Sequence, residues 1–218
     1  AANQIGTATG TTFADNGLAP ATYRYKIVAE DAAGNAGPAS GEGAATVQQQ
    51  TPAGLVAAYA FDEGSGTAVN DASGKNNRGT TSGGTTWTTG GRNGGAMTFN
   101  GTNAMVTVAD SASLDLTTGL TIEAWVRAAD TSAVWSTIAL KERPNGMCYG
   151  LYAKTSSSGP SLQVRTGGSE PRTPNVAVPA ANTWVHVAAT YDGSTLRMYV
   201  NGGQVAGANA TGAVTTSN

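Results

Sequence analysis

Leu55–Phe61, LVAAYAF, with its continuation DEGSGTAVNDASGKNN to Asn77, decides how the rest of the chain is read. Apolar residues alternate along it until they meet the carboxylates of Asp62 and Glu63. A period of two is the pattern of a half-buried strand, and the Gly-, Ser- and Asn-rich run behind it, ending near Gly79, is turn chemistry. The pattern predicts the first strand of a domain and the loop that leaves it.

Toward the C-terminus the same pattern recurs in GGAMTFNG, NAMVTVAD, GLTIEAWVRA, STIALKE, MCYGLYAK, SLQVRTG, TWVHVAATYD and STLRMYVNGGQVA. Asn100-Gly101 is a hairpin signal that predicts GGAMTF and NAMVTV as partners, and Asp192-Gly193 and Asn201-Gly202 mark two further tight turns. Only 12% of the 218 residues are charged, 30 are Gly, and amphipathic helical runs are missing. Short alternating strands at this spacing indicate an all-β sandwich or jelly roll.

Toward the N-terminus, TYRYKIVAED places Tyr23, Tyr25, Ile27 and Ala29 on one face of a strand and Arg24, Lys26 and Glu30 on the other. DAAGNAGPAS reads as a turn and GEGAATVQ as a closing strand. Two or three strands leave an apolar face uncovered, so this region is expected to be poorly packed. VQQQTPAG suits an exposed joint. The expected organisation is a partial N-terminal domain over 1–47, a linker over 48–53 and the main domain over 54–218.

The net charge of −2, without a basic stripe, argues against a nucleic-acid partner. No apolar run approaches the roughly 20 residues of a spanning helix, so membrane insertion is not expected. Cys148 is the lone cysteine and forms no intrachain disulfide. Loop-like AANQIG and polar TTSN at the two ends read as cuts from a longer polypeptide, and the composition suits a secreted bacterial protein.

Two resemblances follow from these segments. GLAPATYRYKIVAEDAAGN, through Leu18, Pro20, Tyr23, Tyr25, Ala29, Asp31 and Gly34-Asn35, resembles the second half of a fibronectin type III domain. Its Leu-Pro-Tyr spacing is similar to that family's tyrosine corner, one residue shorter. LVAAYAFDEGSGTAVNDASGKNNRG, GGAMTFNGTNAMVTVADSASLDLTTGLTIEAWVRA and NTWVHVAATYDGSTLRMYVNGGQVA together resemble the laminin-G-like, concanavalin A-like jelly roll, in that family's order. The resemblance implies a jelly-roll sandwich lacking its last strands, with a strand edge left open.

Some members of this fold cut glycosidic bonds with two carboxylates about 5 to 9 Å apart. No such spacing is found: Asp62 and Glu63 point to opposite faces of a strand, and Glu123, Glu142 and Glu170 stand singly. His186 has no Ser or Cys partner in a nucleophile motif, so no catalytic residue is assigned. Calcium needs six to eight oxygen ligands, and Asp62 with Asp71, Ser73, Asn76 and Asn77 offers such donors; related jelly rolls often hold this ion. Asp71-x-Ser73-Gly74 reads equally as an Asx turn. A glycan groove is the second candidate. The polar face of TIEAWVR carries Thr121, Glu123, Trp125 and Arg127, with Tyr152 and Arg165 on neighbouring strands, and aromatics among hydrogen-bonding groups suit a sugar. Trp125 capped by a loop is the competing reading. Trp184 is expected in the core, and Trp87 and Trp135 in or beside loops.

These readings point to a non-catalytic carbohydrate-binding or adhesive module of a larger secreted protein, its partner a polysaccharide or cell-surface glycan. The other readings are a ligand-free spacer, or an accessory part of a polysaccharide-degrading enzyme whose catalytic domain lies elsewhere.

Overall fold

The computed structural model describes residues 4–48, 51–132, 135–157 and 159–217. Gln49 and Gln50 of the expected linker lie outside them. The chain divides into two units, Ala1–Ala53 and Gly54–Asn218.

In the first unit, β1 (Ala21–Tyr25), β2 (Val28–Glu30), β3 (Ala36–Ala39) and β4 (Gly43–Val47) form two antiparallel pairs, β1 with β4 and β2 with β3. The expected single strand through TYRYKIVAED breaks between Tyr25 and Val28, and part of the expected turn DAAGNAGPAS is strand β3. Ile27, assigned to the half-buried face, is 75% exposed. None of the described residues 4–48 is buried. Two-stranded pairs have too few inward positions to enclose a side chain.

The second unit begins with a correction. LVAAYAF forms no strand. Its backbone is held by side chains in place of a ladder: the Ala58 N–H donates to Asp71 Oδ1 at 2.9 Å, and the Val56 carbonyl accepts from Ser73 Oγ and Asn77 Nδ2 at 3.0 and 2.7 Å. The run ends where Phe61 takes a left-handed backbone, φ 58°, a conformation that is an outlier for a bulky side chain.

β5 (Ala68–Val69), β6 (Gly79–Ser82), β7 (Thr86–Thr88), β8 (Ala96–Thr98) and β9 (Met105–Val108) follow. β6 lies between β5 and β9, and β7 pairs with β8. The expected hairpin at Asn100-Gly101 is absent: β8 and β9 belong to different sheets. Asn100 Oδ1 instead accepts the N–H groups of Thr102, Asn103 and Ala104, a local alternative that competes with a two-residue turn.

A 3-10 turn at Ala112–Leu114 leads to β10 (Leu120–Val126), β11 (Ser136–Arg143), β12 (Gly146–Lys154), β13 (Ser161–Val164), β14 (Val185–Tyr191), β15 (Thr195–Val200) and β16 (Gly203–Asn209). All pairings are antiparallel, in the orders β10-β14-β15-β16 and β11-β12-β13. Inward residues of the first sheet (Val187, Leu196, Met198) and of the second (Leu151, Leu162, Val164) form one buried cluster. The two sheets therefore stack face to face. Each fully buried Leu contributes about 1.5–3 kcal/mol. This is an all-β, jelly-roll type of sandwich.

The edge of β13 is not bare. The Val164 N–H donates to the Pro171 carbonyl, and the Thr173 N–H to that of Leu162. The segment after β16 turns back through buried Ala210 and Val214, and the Thr215 N–H donates to the Arg165 carbonyl. No helix among the described residues is long and apolar enough to cross a membrane.

Candidate functional site

The two sheets turn their outer faces away from each other, and the five residues expected to share one glycan groove divide between them. Glu123, Trp125 and Arg127 belong to β10 and the residue after it; Tyr152 is on β12 and Arg165 follows β13.

On β10 the exposure alternates as the sequence predicts, with Thr121, Glu123 and Trp125 outward. Trp125 pairs across to His186 on β14, so the two rings share the outer face, with centroids 5.2 Å apart. His186 Nε2 stands 3.7 Å from Glu123 Oε2. The Arg92 guanidinium lies 4.8 Å over the Trp125 ring, and that of Arg127 lies 5.2 Å over Trp184. Trp184, expected in the core, is half-buried under Arg127. Trp125 is 39% exposed, but Arg92 already covers one side of its indole. The rings of Trp125, His186 and Trp184 each have an intramolecular partner.

The outer face of β11-β12-β13 differs. Tyr152 lies there beside Trp135, rings 5.4 Å apart and edge to face, and the Tyr152 hydroxyl contacts Met147 Sδ at 3.6 Å. Gly150 makes this possible: a Cβ there would come within 2.9 Å of Leu140 Cδ1 and 3.2 Å of the Tyr152 ring. Without that Cβ the two side chains lean over bare backbone. Tyr152 is buried, whereas Trp135 is 44% exposed and Leu140 is exposed as well. Beside the aromatics, Glu170 Oε1 accepts from Arg165 Nη1 at 2.7 Å and Oε2 from Gln163 Nε2 at 3.2 Å. Burial, and secondarily the Glu170 carboxylate, pushes the Tyr152 phenol above its ordinary pKa.

Sequence reasoning left Glu170 alone in a loop. The turn Thr166–Ser169 returns it to Arg165: the two residues exchange backbone hydrogen bonds of 3.0 and 2.9 Å, and Gly167 and Gly168 take left-handed φ values of 53° and 92°. The Gly-Gly between SLQVR and SEPR was the available signal.

Asp71, Ser73 and Asn77 are brought together, but as a backbone staple. Asp71 Oδ1 accepts the N–H groups of Ala58 and Ser73; Oδ2 accepts Ser73 Oγ–H and the Asn77 N–H. Burial alone would raise the Asp71 carboxyl; these hydrogen bonds outweigh it and hold the group below the usual carboxylate range. Asn77 Nδ2 donates to Val56 O and to Ser113 Oγ. Asn76 is exposed with a left-handed φ of 62°. Asp62 Oδ1 accepts from Gly95 N–H at 2.6 Å, on a different loop. A calcium cage needs oxygens turned toward one point. Those of Asp71 are turned to N–H and O–H donors, so this donor set does not fit calcium, and the described residues hold no group of three or more His, Cys, Asp or Glu suited to a metal.

Two carboxylates do meet elsewhere. Asp110 and Asp115 both reach Lys141 Nζ, the second at 3.7 Å, and share the single Ser217 hydroxyl, whose Oγ lies 3.1 and 3.3 Å from them. A glycosidase pair needs one carboxyl kept protonated. Here a buried ammonium ties the pair, and its hydrogen bond holds Asp110 below the usual range.

The sequence profile of the concanavalin A-like lectin/glucanases superfamily matches residues 100–218. Among solved structures, domain 4 of AbnA, a GH43 extracellular arabinanase from Geobacillus stearothermophilus solved with arabinotriose, is 19% identical, with 74% of this chain and 78% of that one covered and a TM-score of 0.62. An S-layer domain-containing protein from Clostridium thermocellum is 23% identical, with 72% and 73% covered and a TM-score of 0.41. No curated protein sequence matches the chain. The match from Asn100 onward takes in β9 to β16, both sheets of the sandwich and the core between them, and the chain belongs to the concanavalin A-like lectin/glucanase superfamily.

Proposed function

We propose that the chain is a non-catalytic carbohydrate-binding module of a larger secreted protein, and that its glycan lies on the outer face of β11-β12-β13. The observation that carries this reading is Trp135, 44% exposed and braced edge to face by Tyr152, beside the Glu170, Gln163 and Arg165 network. Sugars present C–H faces to an indole and hydroxyls to carboxylate, amide and guanidinium groups, and both kinds of partner are side by side here. The AbnA domain of similar fold holds arabinotriose, which agrees with the reading by analogy of fold. The first unit we read as part of a fibronectin type III-like sandwich. The Tyr23 hydroxyl donating to the Ala19 carbonyl at 3.0 Å, the local contact of a tyrosine corner, supports it.

The test is a polysaccharide array probed with the wild type and with Trp135→Ala. Binding that falls at least about tenfold in the variant, with the fold retained by circular dichroism, supports the platform. Equal binding by both proteins refutes it, and no binding by either leaves the spacer reading in its place.

A further inference from the structure

A cavity of about 360 Å³ opens where LVAAYAF ends, lined by Phe61, Asp62, Gly64, Trp87, Thr88, Thr89, Gly94 and Gly95. Three features show how it is built. Trp87 Nε1 donates to the Gly66 carbonyl at 2.9 Å, which pins the indole. Asp62 Oδ1 is fixed by the Gly95 N–H, while Oδ2 has no hydrogen-bond partner among the described residues. Phe61 carries the left-handed backbone that turns the chain into the wall, the kind of strain that gathers at ligand sites.

The opposite wall is glycine because nothing larger fits. A Cβ on Gly95 would come within 2.4 Å of the Phe61 carbonyl oxygen, and one on Gly94 within 2.7 Å of Asp62 Oδ1. The same loop carries Arg92 over Trp125, which associates the cavity with the four-stranded sheet and not with the platform on β11-β12-β13.

We propose that this cavity is a second glycan subsite, taking one or two rings of a neutral sugar. Its volume is at the lower end of small-molecule sites, roughly 300–1,000 Å³. Trp87 and Phe61 supply apolar walls for the C–H faces of a ring. Asp62 supplies a carboxylate oxygen for hydroxyl donors, and Thr88 and Thr89 line the rest. The lining contains one carboxylate and no cation, and Arg92 of the same loop is turned to Trp125, so an acidic sugar brings a second negative charge with no cation in the lining to offset it. Neutral rings are accepted and uronates refused.

The pocket and the platform are separately testable. ¹⁵N-labelled full chain is titrated with neutral disaccharides of glucose, galactose and arabinose, and with digalacturonic acid. The Trp87 indole resonance, assigned with Trp87→Phe, and the Gly95 amide are followed. A neutral disaccharide is expected to move both signals. Asp62→Asn, an isostere that keeps an oxygen for the Gly95 N–H, is expected to weaken that binding about tenfold or more. Trp135→Ala is expected to leave it unchanged. The subsite is overturned if no neutral sugar moves Trp87 and Gly95, if Asp62→Asn binds as the wild type does, or if digalacturonic acid binds equally well. Failure of the platform appears instead as Trp135→Ala binding polysaccharide like the wild type.

Discussion

The two outer faces of the sandwich carry similar residues in different states of engagement. On β10 and β14, Trp125 is met by Arg92 and His186, and Trp184 by Arg127. On β11, β12 and β13, Trp135 meets Tyr152 edge to face and keeps 44% of its surface, with Leu140 also exposed beside it. An aromatic among charges on the polar side of a strand is therefore insufficient to mark a binding site. What separates the faces is whether the ring's neighbours in its own chain already use its π-surface, and such a neighbour can come from distant sequence, as Arg92 does from the loop after β7.

The comparison presupposes that both faces share one folded unit, so the largest expected effect is one that strikes them together. Asp71→Ala removes four hydrogen bonds and strands the N–H groups of Ala58, Ser73 and Asn77. We expect a loss of roughly 3 kcal/mol, read by denaturant unfolding, with Trp125 and Trp135 environments lost in one transition. The folded-state pKa of Asp71 is depressed, so its contribution is fully present above the unfolded value and is lost as pH falls through the folded one. The stability gap between wild type and variant should stay constant from neutral pH down to about 5 and narrow below about 4, as the part that depends on the charge is lost. Separate transitions for the two tryptophans would break the comparison at its base. Because this carboxylate is already saturated, millimolar calcium should leave the wild-type melting temperature unmoved; a rise would reopen the cation reading.

Next in size is the contrast itself. Trp135→Ala should cost about 2 kcal/mol of glycan affinity, some thirtyfold, with little change in melting temperature. Trp125→Ala should do the reverse, lowering stability while affinity holds. Isothermal titration against a glycan found on the array decides it, and equal affinity losses in the two variants would mean that one groove spans both faces. Glu170→Gln keeps the side-chain shape but weakens the charge-assisted bond from Arg165, so a smaller loss, about 1 kcal/mol, is expected.

How far these features can be read from sequence depends on how local their causes are. TIEAWVR and VHVAATY alternate in burial as their period of two requires, because each strand's two faces are set by the strand itself. LVAAYAF has the same alternation but no ladder: Asp71, Ser73 and Asn77 occupy its backbone, and their reach across 13 to 21 residues leaves no mark on the pattern. Asn100-Gly101 failed as a hairpin for a related reason, since one side chain captured three amides. Tyr152 and Arg165 were legible as candidates because they lie in or beside periodic runs, but their separation from Trp125 was not, since alternation assigns a face to a residue without saying to which sheet the strand belongs. Trp135 precedes its strand in a left-handed conformation, φ 57°, and so stands outside any period. The Phe61 and Trp87 pocket was hidden by the same combination, a strained aromatic and a strand of three residues.

The smallest effect tests whether the first face is occupied or merely masked. An exposed cation–π contact contributes about 0.5–1 kcal/mol, so Arg92→Ala should lower stability by no more than that while freeing the covered side of Trp125. If bracing by the chain's own residues is what distinguishes the faces, the variant faces two opposing consequences: it gains an open indole, but Glu123 beside it stands 3.7 Å from His186 and is not held in place as Glu170 is by Arg165 and Gln163. Stacking without positioned hydroxyl partners is weak and unselective, so polysaccharide affinity should be unchanged within error, with the Trp125 fluorescence shifted toward that of a more hydrated indole. An Arg92→Ala protein that instead bound a glycan its parent ignored, and lost it again on Trp125→Ala, would show that the two faces differ by one removable side chain and not by how their polar groups are paired.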